Sequence, residues 1–384
     1  MIGFFKPKRK TLIGMDIGSN VVKCLRVVAG SQRPRITHFA MVPLPPEAIV
    51  DGEIMDRDLV IRALNDCAEQ AGLPEEPVAS AVSGRAVIVK KIVMDKMSRE
   101  DAREAIFWEA EQHVPFDIDD ISLDFQILRE DIGANQMEIL LVAAKKDMIL
   151  AHAGLIRDAG FQPAVIDVAS FANQNAWEYA MSASGRAPEA EKHGETSASA
   201  EADADGDDAA EGRATADEFV ALLDVGGGMT NVHIVKDGVP YFTRDLPIGT
   251  SHFIEEFQKQ LGLPYEMAVK VAQGHTESVD EQILKDIVRN VGAEIYQGLE
   301  PSLSYLKTSG EAEGIDRIVL SGGGAKVPGL RDYLAECYHV KAETADPLSA
   351  LEFEPEIFAG AEPDDLSPLL TVSVGLALRK AVEP

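Results

Sequence analysis

Cysteine is scarce in this chain: only Cys24, Cys67 and Cys337 stand among 384 residues, and no two form a CxxC pair. That spacing argues against a disulfide framework and suits small buried hydrophobes in a reducing compartment. The eight histidines show no metal-ligand spacing, so no zinc site is expected. No apolar run approaches the roughly 20 residues that a membrane-spanning helix needs. The opening "MIGFFKPKRK" has too short an apolar stretch for a signal peptide, and residues 1–10 read as a tail, two phenylalanines ahead of a basic cluster. A cytoplasmic protein is expected. Positive charge is also in deficit: 36 Lys and Arg face 64 Asp and Glu, leaving −28. Such a surface repels phosphate backbones and anionic lipid headgroups, which argues against nucleic acid as a partner.

What is present suits two packed domains, because a chain this long with 46% hydrophobic residues exceeds one ordinary core. Residues 11–42 read as three strands: "TLIGMDI" and "VVKCLRVV" flank "GSN", and "RITHFAMV" follows a turn. Residues 219–246 repeat the plan. There "FVALLDV" and "TNVHIVK" flank "GGGM", and Asp237–Gly238 turns the chain into "VPYFTRDL". The first copy leads into a helix over 56–71, the strand "VASAV", and later "EILLVAA", a helix from Asp147 to Ala159, "PAVIDV" and another helix. After the second copy, residues 250–306 read as mostly helical, "DRIVLSGGGAKVPGL" as strand, glycine loop and helix start, and "LLTVSVGLALRK" as a closing helix. Residues 83–138, with the amphipathic "REDAREAIFWEAEQHV", are long enough for a small inserted subdomain. Residues 186–218 carry eleven acids against three bases and almost no large apolar side chain, the composition of a disordered linker.

The glycine loops carry the chemistry. A tight turn of Gly and Ser between strands presents backbone N–H groups that suit phosphate oxygens. An aspartate just ahead of each, Asp16 or Asp224, would repel bare phosphate and makes sense with a magnesium ion between, held through water. Two such loops, one per half, can grip a polyphosphate from opposite sides. A third, "SGGGAKVPG", follows a buried strand and would let a flat base approach the backbone.

These loops resemble the phosphate-1, phosphate-2 and adenosine motifs of the actin-like ATPase superfamily. Within it the chain resembles the PilM family of type IV pilus assembly proteins, on "LIGMDIGSNVVKCLRV", "EAEQHVPFDIDDISLDFQIL", "GFQPAVIDVASFA" and "VGLALR". The resemblance implies an α/β actin-like fold: two ribonuclease-H-like domains around a nucleotide cleft, with an inserted 1C-type subdomain. Its boundaries would be 11–82 and 147–185 for subdomain 1A, 83–146 for 1C, 219–250 and 316–384 for 2A, and 251–315 for 2B. It implies Mg-ATP held by Gly18, Ser19, Asn20 and Lys23 in the first loop and by Gly226, Gly227, Gly228 and Thr230 in the second. Asp16 and Asp224 would hold the magnesium shell, Gly322, Gly323 and Gly324 would back the adenosine, and Asp167 would stand where hydrolytic relatives position water. On the helix where relatives contact ribose, Val269 and Ala272 replace the usual acid and base, with Lys270 between. That departure argues for weaker ribose contacts and so lower nucleotide affinity, and weak or absent hydrolysis is expected because loops that bind ATP need not orient an attacking water. The family implies a scaffold at the inner face of the inner membrane that binds the cytoplasmic N-terminal peptide of PilN in a groove between 1A and 1C. Phe107 and Trp108 are candidates for that groove, with helix core as their commoner fate. Other readings of the same residues are a type II secretion component, an FtsA-like division protein, or a metabolite kinase.

Overall fold

The computed structural model describes residues 12–185 and 218–379, apart from 31, 32, 51, 278, 309 and 311. The expected tail and the expected acidic linker lie outside the described residues, except Glu218.

The first half begins with β1 (Ile13–Ile17), β2 (Val21–Val28) and β3 (Arg35–Pro43), then a short ribbon of β4 (Ile49–Val50) and β5 (Glu53–Ile54). Helix α1 (Arg57–Ala71) starts where the Asp56 carboxylate accepts from the Leu59 N–H at 3.0 Å, and it buries Val60, Ala63, Leu64 and Cys67. Strand β6 (Val78–Val82) follows. An insert then intervenes, of β7 (Val87–Asp95), α2 (Arg99–His113), β8 (Ile121–Arg129) and β9 (Gln136–Lys145). The chain returns through α3 (Lys146–Asp158), β10 (Pro163–Val168) and α4 (Ala169–Ala183). The five strands order as β10-β6-β1-β2-β3, antiparallel among β1, β2 and β3 and parallel from β1 outward through β6 and β10.

The second half repeats this sheet. It comprises β11 (Val220–Val225), β12 (Thr230–Lys236), β13 (Val239–Leu246), α5 (Thr250–Leu261), α6 (Tyr265–Ala272), α7 (Glu281–Thr308), β14 (Arg317–Ser321), α8 (Leu330–Tyr338) and β15 (Lys341–Thr344). The order β13-β12-β11-β14-β15 has the same sense of pairing. The hairpin at Asp237–Gly238 takes positive φ at both residues, 52° and 74°, as a tight antiparallel turn requires. Both halves are thus the expected ribonuclease-H-like sheets.

The insert is a body with its own core. Its sheet runs β7-β9-β8, and α2 packs Ile106 onto Ile121, Phe125, Met137, Ile139 and Leu141. The run "EILLVAA" is therefore the middle strand of the insert and not a strand of the first half. On α2 the buried face is Ala102, Ile106 and Ala110, whereas Phe107 and Trp108 stand exposed. Helix core, the commoner fate for an aromatic, is not theirs.

The closing segment holds α9 (Pro363–Leu366) and α10 (Thr371–Ala377). The sequence groups it with the second half, yet it packs on the first. Leu348, Leu351, Phe358, Leu366, Leu370 and Val374 share one core with Leu25, Val27 and Ile36. Ile36 N–H donates to Glu352 O, and Glu352 N–H donates to Pro34 O, each at 2.8 Å. Small residues permit the contact: a Cβ on Gly14 would lie 2.1 Å from Ser373 O, and one on Gly375 would lie 1.8 Å from Ala172 O. A run such as "TVSVGLA", buried on every side, has no polar stripe to reveal its neighbours.

Candidate functional site: facing glycine loops

The antiparallel register places Asp16 directly opposite Lys23, and Lys23 Nζ lies 2.8 Å from Asp16 Oδ2. The turn between them, Gly18-Ser19-Asn20, closes with Gly18 N–H donating to Val21 O at 3.1 Å. The second loop mirrors it: Gly226 N–H donates to Met229 O at 2.8 Å. Two more bonds orient that loop. Thr250 N–H donates to Gly226 O and Ser251 N–H to Gly227 O, both at 2.9 Å. The first N–H groups of α5, which have no partner within their own helix, are thereby satisfied. A trans peptide points its N–H opposite to its C=O, so the N–H groups of Gly227 and Gly228 face away from α5. Among the described residues, the N–H groups of Ser19, Asn20, Gly227 and Gly228 have no protein acceptor. Such groups suit an oxyanion.

The two loops meet. A Cβ on Gly227 would fall 2.6 Å from Asn20 Cγ, and one on Gly228 would fall 3.6 Å from Ser19 Oγ. Behind them, Gly322 lies against Asp224. Its φ is 73°, its N–H donates to Pro368 O at 2.8 Å, and a Cβ there would lie 2.5 Å from Asp224 Oδ1. Gly324 packs on Val225 just as closely, and Gly323 stands by Thr250.

Charge in this cleft is unbalanced. Burial pushes the Asp224 carboxyl up to about 6; Lys23 pulls it down, while Asp16 pushes it further up. Burial alone would lower Lys23, but the charge and hydrogen bond of Asp16, with the charge of Asp224, hold it above its ordinary value. Ser321 Oγ donates to Asp224 Oδ1 at 3.1 Å, and no protein donor among the described residues reaches the other oxygen. A cation is therefore welcome at Asp224. Among the described residues no group of three or more His, Cys, Asp or Glu is placed to hold a metal ion. Magnesium here would complete its shell with water and ligand oxygens, which is its habit. At Asp16 it would displace the Lys23 ammonium, freeing that charge for a phosphate.

Three further candidates have other surroundings. The Asp167 carboxylate is bidentate to Arg379, and its Oδ1 also accepts from the Val168 N–H at 2.8 Å. The buried Thr230 hydroxyl donates to Ile248 O at 2.6 Å and so braces the second loop. Lys270 is exposed on α6. Residues the sequence left unmarked also shape the cleft. Asn173 Nδ2 on α4 donates to Ser321 Oγ at 3.1 Å and ties the first half to the Asp224 pair. Asp245 accepts from Asn231 Nδ2 at 2.5 Å and from the Gly84 N–H, joining β13 to the loop after β6. Ser321 was open to detection, since it leads directly into the third loop; Asn173 and Asp245 carried no local signal.

Comparison with known proteins bears on the fold and the family. A solved "PilM-PilN type IV pilus biogenesis complex" chain is similar over 98% of this chain and 100% of its own, at 25% identity and a TM-score of 0.77. The ethanolamine utilization protein EutJ of Carboxydothermus hydrogenoformans shares the fold, with a TM-score of 0.50 at 14% identity over 98% of this chain and 92% of its own. The cell division protein FtsA of Borreliella burgdorferi is 25% identical over 183 residues, a match spanning 42% of each chain. The fold is thus the actin-like ATPase fold. The family model described as "Type IV pilus assembly protein PilM" matches residues 14–191 and 209–381, nearly the whole described chain, and the protein belongs to that family.

Proposed function

We propose that the chain is an ATP-binding scaffold of the type IV pilus assembly complex, held at the inner face of the inner membrane by the cytoplasmic N-terminal peptide of a PilN partner. The observation that carries the nucleotide reading is the abutment of two loops with acceptor-free N–H groups, each behind a carboxylate, with Lys23 between Asp16 and Asp224. Gly18, Ser19, Asn20, Gly226, Gly227 and Gly228 would cradle the phosphates. Asp16 and Asp224 would hold magnesium through water, and Gly322, Gly323 and Gly324 would back the adenosine. Lys270 remains the candidate on the ribose side. The metal would supply charge neutralisation of the phosphates; the loops supply orientation.

The PilN reading is supported by the similarity to a chain solved in a PilM–PilN complex. An extended peptide gains main-chain bonds at a sheet edge and side-chain pockets beside it. The exposed Phe107 and Trp108 on α2 offer apolar surface for such contacts. Attachment through a partner also suits a chain in which no described helix is long and apolar enough to cross a membrane. Binding without efficient hydrolysis is favoured because the carboxylate of Asp167, the candidate for orienting water, is committed to Arg379.

The test is calorimetry of nucleotide-stripped protein with Mg-ATP, followed by capture of the PilN N-terminal peptide with and without Mg-ATP. Heat on titration and peptide capture are the expected results. Absence of heat would remove the nucleotide reading, and absence of capture in both conditions would remove the partner.

A further inference from the structure

Two strands away from the glycine loops, the cleft widens into an open cavity of about 400 Å³. The second-half sheet measures the separation: Asp224 is in register with Asn231, and Asn231 with Asp245, which lines the cavity. That places the cavity wall about 10 Å from Asp224. Three bodies contribute to it: Gly84 and Arg85 at the entry to the insert, Ser170 on α4 of the first half, and Arg244 and Asp245 on β13 of the second.

The polar groups there converge on one kind of ligand. Arg85 and Arg244 are exposed, and among the described residues neither guanidinium group has a hydrogen-bonding or ion-pair partner. In a chain of net charge −28, two unpaired guanidinium groups lining one cavity are a local reversal of field. Ser170 stands in the first turn of the 15-residue helix α4, which has no side-chain cap. Its hydroxyl is buried, 2% exposed for the residue, and has no hydrogen-bond partner. A buried hydroxyl without a partner carries an unrecovered desolvation cost, and an anion on the cavity side would remove it. The N-terminus of the helix adds its dipole and free N–H groups in the same place. One carboxylate opposes this arrangement, Asp245. Both its oxygens are already engaged, by the Asn231 amide and by the Gly84 N–H. That leaves two guanidinium groups against one hydrogen-bonded carboxylate.

We propose that this cavity is a second anion site, taking a small phosphate- or carboxylate-bearing molecule between Arg85, Arg244 and Ser170. Its ligand would touch the insert and both halves at once, so occupancy would fix the insert against the second half. The site does not depend on nucleotide binding at the glycine loops.

Calorimetry on the full chain tests it with inorganic phosphate and with succinate, at constant ionic strength set by chloride. Binding of either probe is expected, and the stronger one identifies the ligand class. Arg85→Gln and Arg244→Gln are each expected to weaken that probe about tenfold or more. Ser170→Ala is expected to weaken it a few-fold while leaving the melting temperature of the ligand-free protein unchanged or higher, because the hydroxyl has no protein partner to lose. No binding of either probe overturns the proposal. So does phosphate binding that persists undiminished in both arginine variants, which would assign the phosphate to the glycine loops instead.

Discussion

Asp224 shows how a single carboxyl can be stable in fold and costly in charge. Its folded value of about 6 lies above the ordinary 3.8, chiefly because burial disfavours the charged form. A raised folded value gives a contribution that is fully present below 3.8 and is lost as pH rises through 6. The loss amounts to on the order of 3 kcal/mol once the group is fully ionised. Asp224→Asn is therefore expected to raise the denaturation midpoint of the ligand-free protein at pH 7, with a gain that shrinks towards pH 4.5, while abolishing Mg-ATP binding. A gain equal at both pH values would show that ionisation of Asp224 has no part in it. Lys23 makes a second case at this scale. Bound to Asp16 at 2.8 Å, its ammonium keeps two further N–H donors that a phosphate in the cleft could take. Lys23→Gln is expected to weaken ATP by about tenfold and to leave adenosine unaffected, as read by calorimetry. An equal loss for both ligands would make Lys23 a structural partner of Asp16 alone.

At the scale of elements, the crossing of α10 over α4 and β1 depends on glycine for space. Gly375→Ala would drive a methyl group onto the Ala172 carbonyl, where backbone cannot yield cheaply. A loss of about 1–3 kcal/mol is expected by chemical denaturation, as for an overpacked core. Gly314→Ala, with nothing among the described residues within 4 Å of the added methyl, is the control and is expected to stay within about 0.5 kcal/mol. Equal effects would mean that the crossing is looser than the contacts imply. These elements also mark how far the chain could be read from sequence. The two strand–loop–strand–turn–strand copies, the hairpin at Asp237–Gly238 and the insert were legible because each rests on local pattern: β-branched runs, Asp-Gly at a turn, an amphipathic helix. The helices after the second copy were legible for the same reason. The position of "TVSVGLA" on the first sheet was not, since it follows from packing between residues over 300 apart, such as Gly14 and Ser373. The site divided likewise. The placement of Asp16 and Asp224 near strand ends, each leading into a glycine loop, and of the third loop after a buried strand was legible. The pairing of Asp167 with Arg379, 212 residues away, was not.

For the whole molecule, the two halves are not successive segments of chain. The first sheet is completed by residues 347–377, which come after the second half has been laid down. Residues 12–185 alone would leave Leu25, Val27 and Ile36 uncovered, an exposed apolar patch on one face of the sheet. Expressed alone, that fragment is expected to aggregate or to unfold without a cooperative transition. Linked to residues 347–379 by a flexible tether, it is expected to regain a cooperative transition, as followed by near-ultraviolet circular dichroism on heating. A cooperative transition in the fragment without the added segment would show that the closing helix decorates the sheet without completing it.

The same late return of the chain sets an order on synthesis. Until residues 347–377 have been made, the amino-terminal sheet must wait, with its seat for α10 empty. The half made first therefore cannot finish before the half made second has been synthesised. Through that interval the half made first is a client for whatever factors shield unfinished sheets at the ribosome exit.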